Sequence, residues 1–115
     1  MLRKELRLRK NADFKNVYEN GRSVAGRYVS IYYIKRGDQK GTRIGIVAGK
    51  KVGGAVARNR VKRVLREILS RYQDLLCEEH DIVVVARKSS LTAEFHKISA
   101  DVGNILKGCG LLKGM

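Results

Sequence analysis

The stretch KKVGGAVARNRVKRVLR, which spans Lys50–Arg66, decides how the rest of the chain is interpreted. It holds no acidic residue and seven basic ones: Lys50, Lys51, Arg58, Arg60, Lys62, Arg63 and Arg66. In and beyond it, apolar residues recur at spacings of three and four, as in an amphipathic helix: Val61, Val64, Leu65, Ile68, Tyr72, Leu75 and Leu76. Gly53 and Gly54 interrupt the chain beforehand. The sequence therefore predicts a helix over Ala55–Leu76 with one apolar face and one strongly basic face.

The charge balance of the whole chain points to a polyanionic partner. The 115 residues include 25 Lys and Arg but 11 Asp and Glu, giving a formal net charge of +14. Such an excess is costly through self-repulsion unless a polyanion offsets it. Nucleic acid is the leading candidate and an anionic membrane surface the second.

Length and hydropathy predict one cytoplasmic domain. A chain of this size fits a single domain, and we expect one RNA-binding domain over residues 1–115 with a basic N-terminal tail at about 1–10. The longest apolar run, Ile82–Ala86, is far shorter than the roughly 18 residues of a membrane span. The basic N-terminus lacks the apolar segment of a signal peptide.

The first half of the chain is predicted to form a helix and a hairpin. Residues 11–20 form the helix, with Asn11 as its N-cap and Gly21 as its stop. The β-branched and aromatic run Arg27–Arg36 is typical of a strand. A turn over 37–41 then leads to a partner strand, Thr42–Lys50, so the two strands are expected to pair as a hairpin.

The second half is predicted to form the basic helix, one buried strand and a last helix. Asp81–Arg87 is nearly continuously apolar, which favours a central strand buried on both faces. Ser90 or Thr92 could cap the last helix, and Gly108 ends it. The expected fold class is α+β, with a small mixed β-sheet packed with three helices.

A search for catalytic chemistry gives little. His80 and His96 have no spacing typical of metal ligands or of a catalytic pair, so both are interpreted as ordinary residues. Cys77 and Cys109 are interpreted as reduced thiols, because two cysteines without a matched histidine pair make no zinc site. The phosphate-loop pattern is also missing. We predict no catalytic residue and no metal ligand in the chain.

The basic stretch is a stronger signal than an ordinary solvated helix face. Solvated faces usually mix both signs of charge, whereas no acid occurs between Lys40 and Glu67. Arginine is favoured where a planar fork grips phosphate oxygens, and the amide of Asn59 could reach a base edge or a backbone oxygen. Polyanion binding is therefore the preferred interpretation.

Aromatic residues suggest a second surface. Phe14 and Tyr18 share a predicted helix face, while Tyr28 and Tyr32 share a predicted strand face. These rings could simply pack in the core, or they could stack the bases of single-stranded nucleic acid in a groove. Basic residues would line the rim of such a groove: Lys15, Arg22, Arg27 and Lys35.

Three segments resemble the bacterial ribonuclease P protein subunit family. They are Lys50–Glu67, which contains the Arg58-Asn59-Arg60 motif, Arg7–Tyr28 and Asp81–Lys88. The resemblance implies an α+β fold, shared with a domain of a ribosomal protein, with a left-handed β-α-β crossover that breaks the usual right-handed rule. It also implies a role as the protein component of an endoribonuclease. The resemblance further implies that the protein's partner is a catalytic RNA, and that the two together remove the 5′ leader of precursor tRNA.

The resemblance also assigns residues. It implies that the catalytic RNA is bound by Lys50, Lys51, Arg58, Asn59, Arg60, Lys62, Arg63 and Arg66. It implies a cleft for the leader at Phe14, Tyr18 and Tyr32. Mg²⁺ would be held mainly by the RNA and the substrate, without a protein ligand, and no obligate protein partner or membrane is expected. A small ribosomal protein is the alternative of a different class, and a self-sufficient nuclease is disfavoured by the missing catalytic residues.

Overall fold

The computed structural model describes residues 2–38 and 41–113. Within them the chain forms three α-helices and four β-strands. In chain order these are α1 (Asn11–Asn20), β1 (Arg22–Ala25), β2 (Val29–Lys35), β3 (Arg43–Val47), α2 (Ala55–Tyr72), β4 (His80–Ala86) and α3 (Phe95–Gly108). The predicted α+β class, with three helices and a small mixed sheet, is confirmed.

The sheet is built around β4. Its strand order is β1-β2-β4-β3, in which β4 pairs antiparallel with β2 and parallel with β3. Ile82 and Val84 of β4 face the larger core, Val83 faces the opposite side, and each is at most 1% exposed. The predicted central strand is therefore confirmed, because apolar residues on both faces need cover on both sides of the sheet.

The predicted hairpin between the second and third strands is wrong. β2 and β3 do not pair, because β4 lies between them. The antiparallel partner of β2 is instead β1, in which Arg22 lies opposite Tyr33 and Ala25 lies opposite Ser30. β1 is absent from the predicted elements, and all four of its residues are exposed. Part of the predicted turn, residues 39–40, lies outside the described residues.

Helices α2 and α3 cover one face of the sheet. Leu65, Ile68 and Leu69 of α2 are fully buried in the core, together with Val102 and Leu106 of α3. The predicted start of α2 at Ala55 is confirmed, but the α-helix ends at Tyr72 and a 3-10 turn over Gln73–Leu75 follows.

The buried residues of α2 differ from the predicted apolar set at two positions. Leu69, absent from the predicted set, is buried. Leu75 is 49% exposed, because it lies beyond the α-helix and off its buried face.

The N-terminal segment packs against the sheet instead of forming the predicted tail. Leu2 and Leu8 are 2% and 5% exposed. Arg7 forms a parallel bridge with Ile44 of β3, and the Leu8 N–H donates a hydrogen bond of 2.8 Å to the Ile44 carbonyl. The leucines between the basic residues of this segment thus find apolar cover along the outer edge of β3.

The helix boundaries show where capping signals misled the sequence analysis. α1 spans the predicted residues, and the Gly21 N–H donates to the Val17 carbonyl at its end. Its N-cap is Lys10 and not Asn11. α3 begins after Glu94, because the segment with the candidate cap Ser90 forms a separate 3-10 turn over Lys88–Leu91.

The β3-α2-β4 connection joins two adjacent parallel strands. It is thus a β-α-β unit, and its left-handedness stays a prediction from the family resemblance.

Candidate nucleic-acid interface

The basic face of α2 lies opposite its buried face. Val61, Leu65 and Ile68 are at most 4% exposed and recur at spacings of three and four, which anchors one side of the helix in the core. The residues on the other side are exposed: Asn59, Arg60, Arg63 and Arg66. The two other predicted residues on the helix, Arg58 and Lys62, are half-buried at the margins of this face.

The cations of this face and of the turn before it have no counter-charge among the described residues. No ion pair to any residue in 2–38 or 41–113 is formed by Lys50, Lys51, Arg58, Arg60, Lys62, Arg63 or Arg66. The Nε atom of Arg58 is buried and makes no hydrogen bond to the described part of the chain. Clustered unpaired cations are the electrostatic footprint of a phosphate-binding surface.

The positive surface continues from α2 to the end of the sheet. Lys50 and Lys51 lie in the turn between β3 and α2. Lys51, Arg87 and Lys88 surround an open depression of about 540 Å³. The sequence analysis did not assign Arg87 and Lys88 to a site. No local sequence pattern indicates this, because the residues that follow β3 and β4 meet only through the parallel pairing of these two strands.

On the opposite face of the sheet, α1 packs Phe14 onto a glycine. A Cβ atom at Gly45 of β3 would lie 2.4 Å from Cε1 of Phe14, so this close approach requires glycine. Val17, one turn further along α1, is fully buried in the same small cluster as Val83 of β4. This packing fixes how α1 crosses the sheet.

The three predicted leader-cleft residues lie in one region. The rings of Tyr18 and Tyr32 meet edge to face, with centroids 4.9 Å apart and planes at 88°. Tyr32 and Phe14 pack against the same small cluster. Tyr18 is 41% exposed, and burial, with a smaller contribution from Tyr32, raises the pKa of its phenol above the ordinary value.

The sheet face beside these rings is the candidate floor of the predicted groove. Ser30 of β2, Val47 of β3 and Val85 of β4 occupy one pleat face in paired register and are half-buried. Tyr32 lies on this same face of β2. A shallow apolar floor with an aromatic wall is a surface on which unpaired bases can stack.

Tyr28 does not join this groove, contrary to the sequence interpretation. It precedes β2 and packs against the larger core on the other side of the sheet, with the Arg27 guanidinium 5.7 Å from its ring centroid. Its backbone N–H donates a hydrogen bond of 2.8 Å to Asp101 of α3. Alternation along a strand assigns faces only within the strand, and Tyr28 lies outside it.

A buried carboxylate ties α1 to the sheet. Asp81 of β4 is 1% exposed. Its Oδ1 accepts a hydrogen bond of 2.6 Å from Arg36. Arg43 donates two hydrogen bonds of 2.8 Å to it, one to each carboxylate oxygen. Arg43 also reaches Asp13 of α1 at 3.2 Å. The hydrogen bonds to Asp81 raise the pKa of the Arg43 guanidinium above its ordinary value, although burial opposes them. The sequence analysis missed this cluster.

The described residues offer no other obvious chemistry. In 2–38 and 41–113, no group of three or more His, Cys, Asp and Glu side chains could hold a metal ion. Over the same ranges, no helix combines the length and apolar character needed to cross a membrane.

Comparisons with known proteins converge on one family. The Ribonuclease P family model matches residues 2–110. The ribonuclease P protein component of Syntrophomonas wolfei is 40% identical over 96% of this chain and 92% of its own length, and that of Listeria welshimeri is 34% identical over 97% and 94%.

Solved structures show the same similarity. The RNase P protein of Staphylococcus aureus has a TM-score of 0.84 at 32% identity, with 94% of this chain and 98% of that chain covered. The RNase P protein of Thermotoga maritima has a TM-score of 0.78 at 33% identity, with coverages of 89% and 96%.

Proposed function

The chain belongs to the ribonuclease P protein family, and we propose that it assists a catalytic RNA in removing the 5′ leader of precursor tRNA by endonucleolytic cleavage. In this proposal the basic face of α2 binds the catalytic RNA, and the groove beside α1 binds the leader. The observation that supports the proposal is that an exposed basic helix face and a cluster of aromatic rings lie on opposite faces of one sheet.

The basic face suits a folded RNA. Its exposed arginines project from one helix, so the spacing of their Cα atoms is set before binding, while the side chains can adjust to the phosphates. Each can grip phosphate oxygens through two parallel hydrogen bonds. Because Arg60, Arg63 and Arg66 have no internal partner among the described residues, no ion pair has to be broken when RNA binds.

The groove suits a single strand. Phe14, Tyr18 and Tyr32 offer ring surface for stacking, and stacking tolerates any base sequence. That tolerance fits a leader, because the 5′ extensions of different precursor tRNAs need not share a sequence. Lys51, Arg87 and Lys88 supply charge at the end of the sheet, where a backbone leaving the groove could be neutralised.

Catalysis is assigned to the RNA. Hydrolysis of the phosphodiester uses Mg²⁺ held by the RNA and the substrate, as in two-metal chemistry. As the family resemblance implies, no protein ligand for the ion and no catalytic side chain are proposed. The protein's cations act by lowering the repulsion between two polyanions. This role places the protein in the cytoplasm, without an obligate protein partner.

Reconstitution tests the proposal directly. Adding the protein to a bacterial ribonuclease P RNA should restore leader removal at a low Mg²⁺ concentration at which the RNA alone is nearly inactive. The protein alone should not cleave precursor tRNA. Metal-dependent cleavage by RNA-free protein would show that the division of labour is wrong.

The double variant Arg58→Ala/Arg60→Ala tests the basic face. It should weaken binding to the ribonuclease P RNA by at least about tenfold and reduce the slope of log affinity against log salt by about 1 to 2. The matched control Lys97→Ala/Lys107→Ala removes the same charge from exposed positions of α3. If both variants lose the same affinity, net charge and not the α2 face governs binding.

The variants Phe14→Ala and Tyr32→Ala test the groove. Each should weaken binding of leader-bearing precursor by about 1–3 kcal/mol while leaving mature tRNA unaffected. Tyr33→Ala is the control, because Tyr33 lies on the same strand but packs against the core of the opposite face. Equal losses for precursor and mature tRNA would show that the rings serve packing alone.

A further inference from the structure

A depression lies between the N-terminal segment, α2 and the start of α3. Its volume is about 590 Å³, which is within the range of roughly 300–1,000 Å³ seen for small-molecule sites. The residues that matter for its chemistry are Leu2, Arg7, Arg63, Val64, Arg66 and Phe95. It is distinct from the groove beside α1, which lies on the other face of the sheet.

Arg7 lines this depression and forms no ion pair with the described residues. Its Nε atom is buried and makes no hydrogen bond to the described residues. Leaving a buried donor of a charged group unsatisfied costs on the order of the free energy of a hydrogen bond, so such groups usually have a partner. The backbone of Arg7 is held against Ile44 of β3, so the point from which this side chain leaves the backbone is set by the fold.

The rest of the depression combines an apolar wall with a cationic rim. Val64 and Phe95 are half-buried and pack against the core. Arg63 and Arg66 stand on the exposed face of α2 without an ion pair to the described residues. Glu67, an acidic residue that lines the depression, is paired with Arg71 at 3.7 Å. The Arg71 guanidinium lies 4.7 Å from the Phe95 ring centroid.

We propose that this depression binds one unstacked nucleotide of the partner RNA. The base lies against Val64 and Phe95, and the flanking phosphates meet Arg7, Arg63 and Arg66. This inference rests on the proposed function, because it names what the α2 surface binds beyond phosphate.

The composition of the depression favours a nucleotide over a phosphate group alone. A free phosphate or a duplex backbone needs cations but no apolar wall. An extruded base needs a ring or aliphatic surface for its face and cations for its backbone, and specific RNA recognition commonly uses unstacked bases in this way. Both parts occur here within one cavity of nucleotide size.

A matched pair of arginine variants tests the cationic part. Arg7→Gln should weaken binding to ribonuclease P RNA by about tenfold, which corresponds to ~1.4 kcal/mol. Arg9→Gln removes the same charge from an exposed residue two positions away and should have an effect of no more than about twofold. Equal effects of the two variants would overturn the site, and thermal unfolding of both proteins checks that the fold is retained.

A fluorescent variant tests the base. The chain contains no Trp, so Phe95→Trp introduces a single indole into the apolar wall. A stacked base should quench its emission on addition of ribonuclease P RNA, whereas tripolyphosphate should not. Quenching by tripolyphosphate would assign the depression to phosphate alone. A change of emission with protein concentration in the absence of RNA would assign it to a contact between two copies of the chain. Either result overturns the proposal.

Phe95→Leu provides a second measurement that does not depend on the indole. It removes the ring but no charge, so it should weaken RNA binding severalfold without changing the salt slope. Unchanged affinity of Phe95→Leu and Arg7→Gln, with affinity lost in Arg58→Ala/Arg60→Ala, would refute this site while leaving the proposed function intact. Unchanged affinity of Arg58→Ala/Arg60→Ala would contradict the proposed function itself.

Discussion

The arginines at the Asp81 cluster and those on α2 are the same side chain in opposite situations. Arg36 and Arg43 share a carboxylate that is 1% exposed, at distances of 2.6–2.8 Å. Arg60 and Arg63 lie on an exposed helix face and form no ion pair with the described residues. Arg36 and Arg43 are neutralised by a carboxylate within the fold, whereas Arg60 and Arg63 remain available to a ligand.

The difference separates two uses of charge. At the Asp81 cluster, the fold meets the desolvation cost of three charged groups by pairing them, and Arg43 extends the pairing to Asp13 of α1. On α2, the fold leaves like charges one helical turn apart, which costs stability through repulsion. Net charge alone cannot tell the two groups apart. The positions of the counter-charges in the structure distinguish the two groups.

The largest expected effect is loss of stability when the buried acceptor is neutralised. Asp81→Asn leaves two arginines without their shared carboxylate, so the free energy of unfolding should fall by about 3–5 kcal/mol. Urea denaturation followed by circular dichroism measures it. Protein that remains folded should keep its affinity for RNA per folded molecule, because Asp81 lies within the packed structure and not at the basic face.

Asp38→Asn is the matched control for this prediction. Asp38 also contacts Arg36, at 3.1 Å, but its side chain is 40% exposed, so its loss should cost less than about 1 kcal/mol. If the two asparagine variants were equally destabilised, burial of Asp81 would not distinguish the cluster from a surface pair.

Exchanging one arginine in each region sharpens the comparison. Arg43→Met should lower the free energy of unfolding by about 3 kcal/mol, because it removes a partner of a buried charge. Arg63→Met should leave stability unchanged or slightly raised, since it relieves repulsion on α2, but should lower RNA affinity and the salt slope. Parallel urea denaturation and filter-binding measurements separate the outcomes. A stability loss in Arg63→Met equal to that in Arg43→Met would contradict the division.

Local sequence patterns predicted most of the helices and strands, but not which strands pair in the sheet. The 3.6-residue periodicity gave α2 its start and its basic face, and the continuous apolar run of β4 gave its central position. The same run did not exclude a β2–β3 hairpin, because burial on both faces requires cover above and below the sheet but does not say which strands lie beside β4. The edge strand β1 escaped prediction, since an exposed strand carries no apolar pattern.

The site residues were predictable only as far as they act through sequence motifs. Arg58-Asn59-Arg60, Phe14 and Tyr18 lie in segments that resemble the family, whereas Tyr32 lies outside these segments. The Asp81 cluster joins residues that are 38 and 45 positions apart, so no local pattern reveals it. Arg7 was assigned to a tail, because the sequence alone does not show that this segment packs along the edge of β3.

The smallest expected effect concerns stabilisation by sulfate. A divalent anion that binds the unpaired cations of α2 in the folded state should raise the free energy of unfolding by about 1 kcal/mol at roughly five times its Kd. Sulfate also strengthens burial of apolar surface in any protein, so the parent must be compared with Arg60→Met/Arg63→Met. The variant lacks two binding cations but keeps the Asp81 cluster, and it should gain less stability from sulfate than the parent. Thermal unfolding at matched ionic strength in sulfate and in chloride measures the difference. An identical gain in both proteins would mean that sulfate acts through general exclusion, and that the unpaired arginines of α2 do not form an anion site in the absence of RNA.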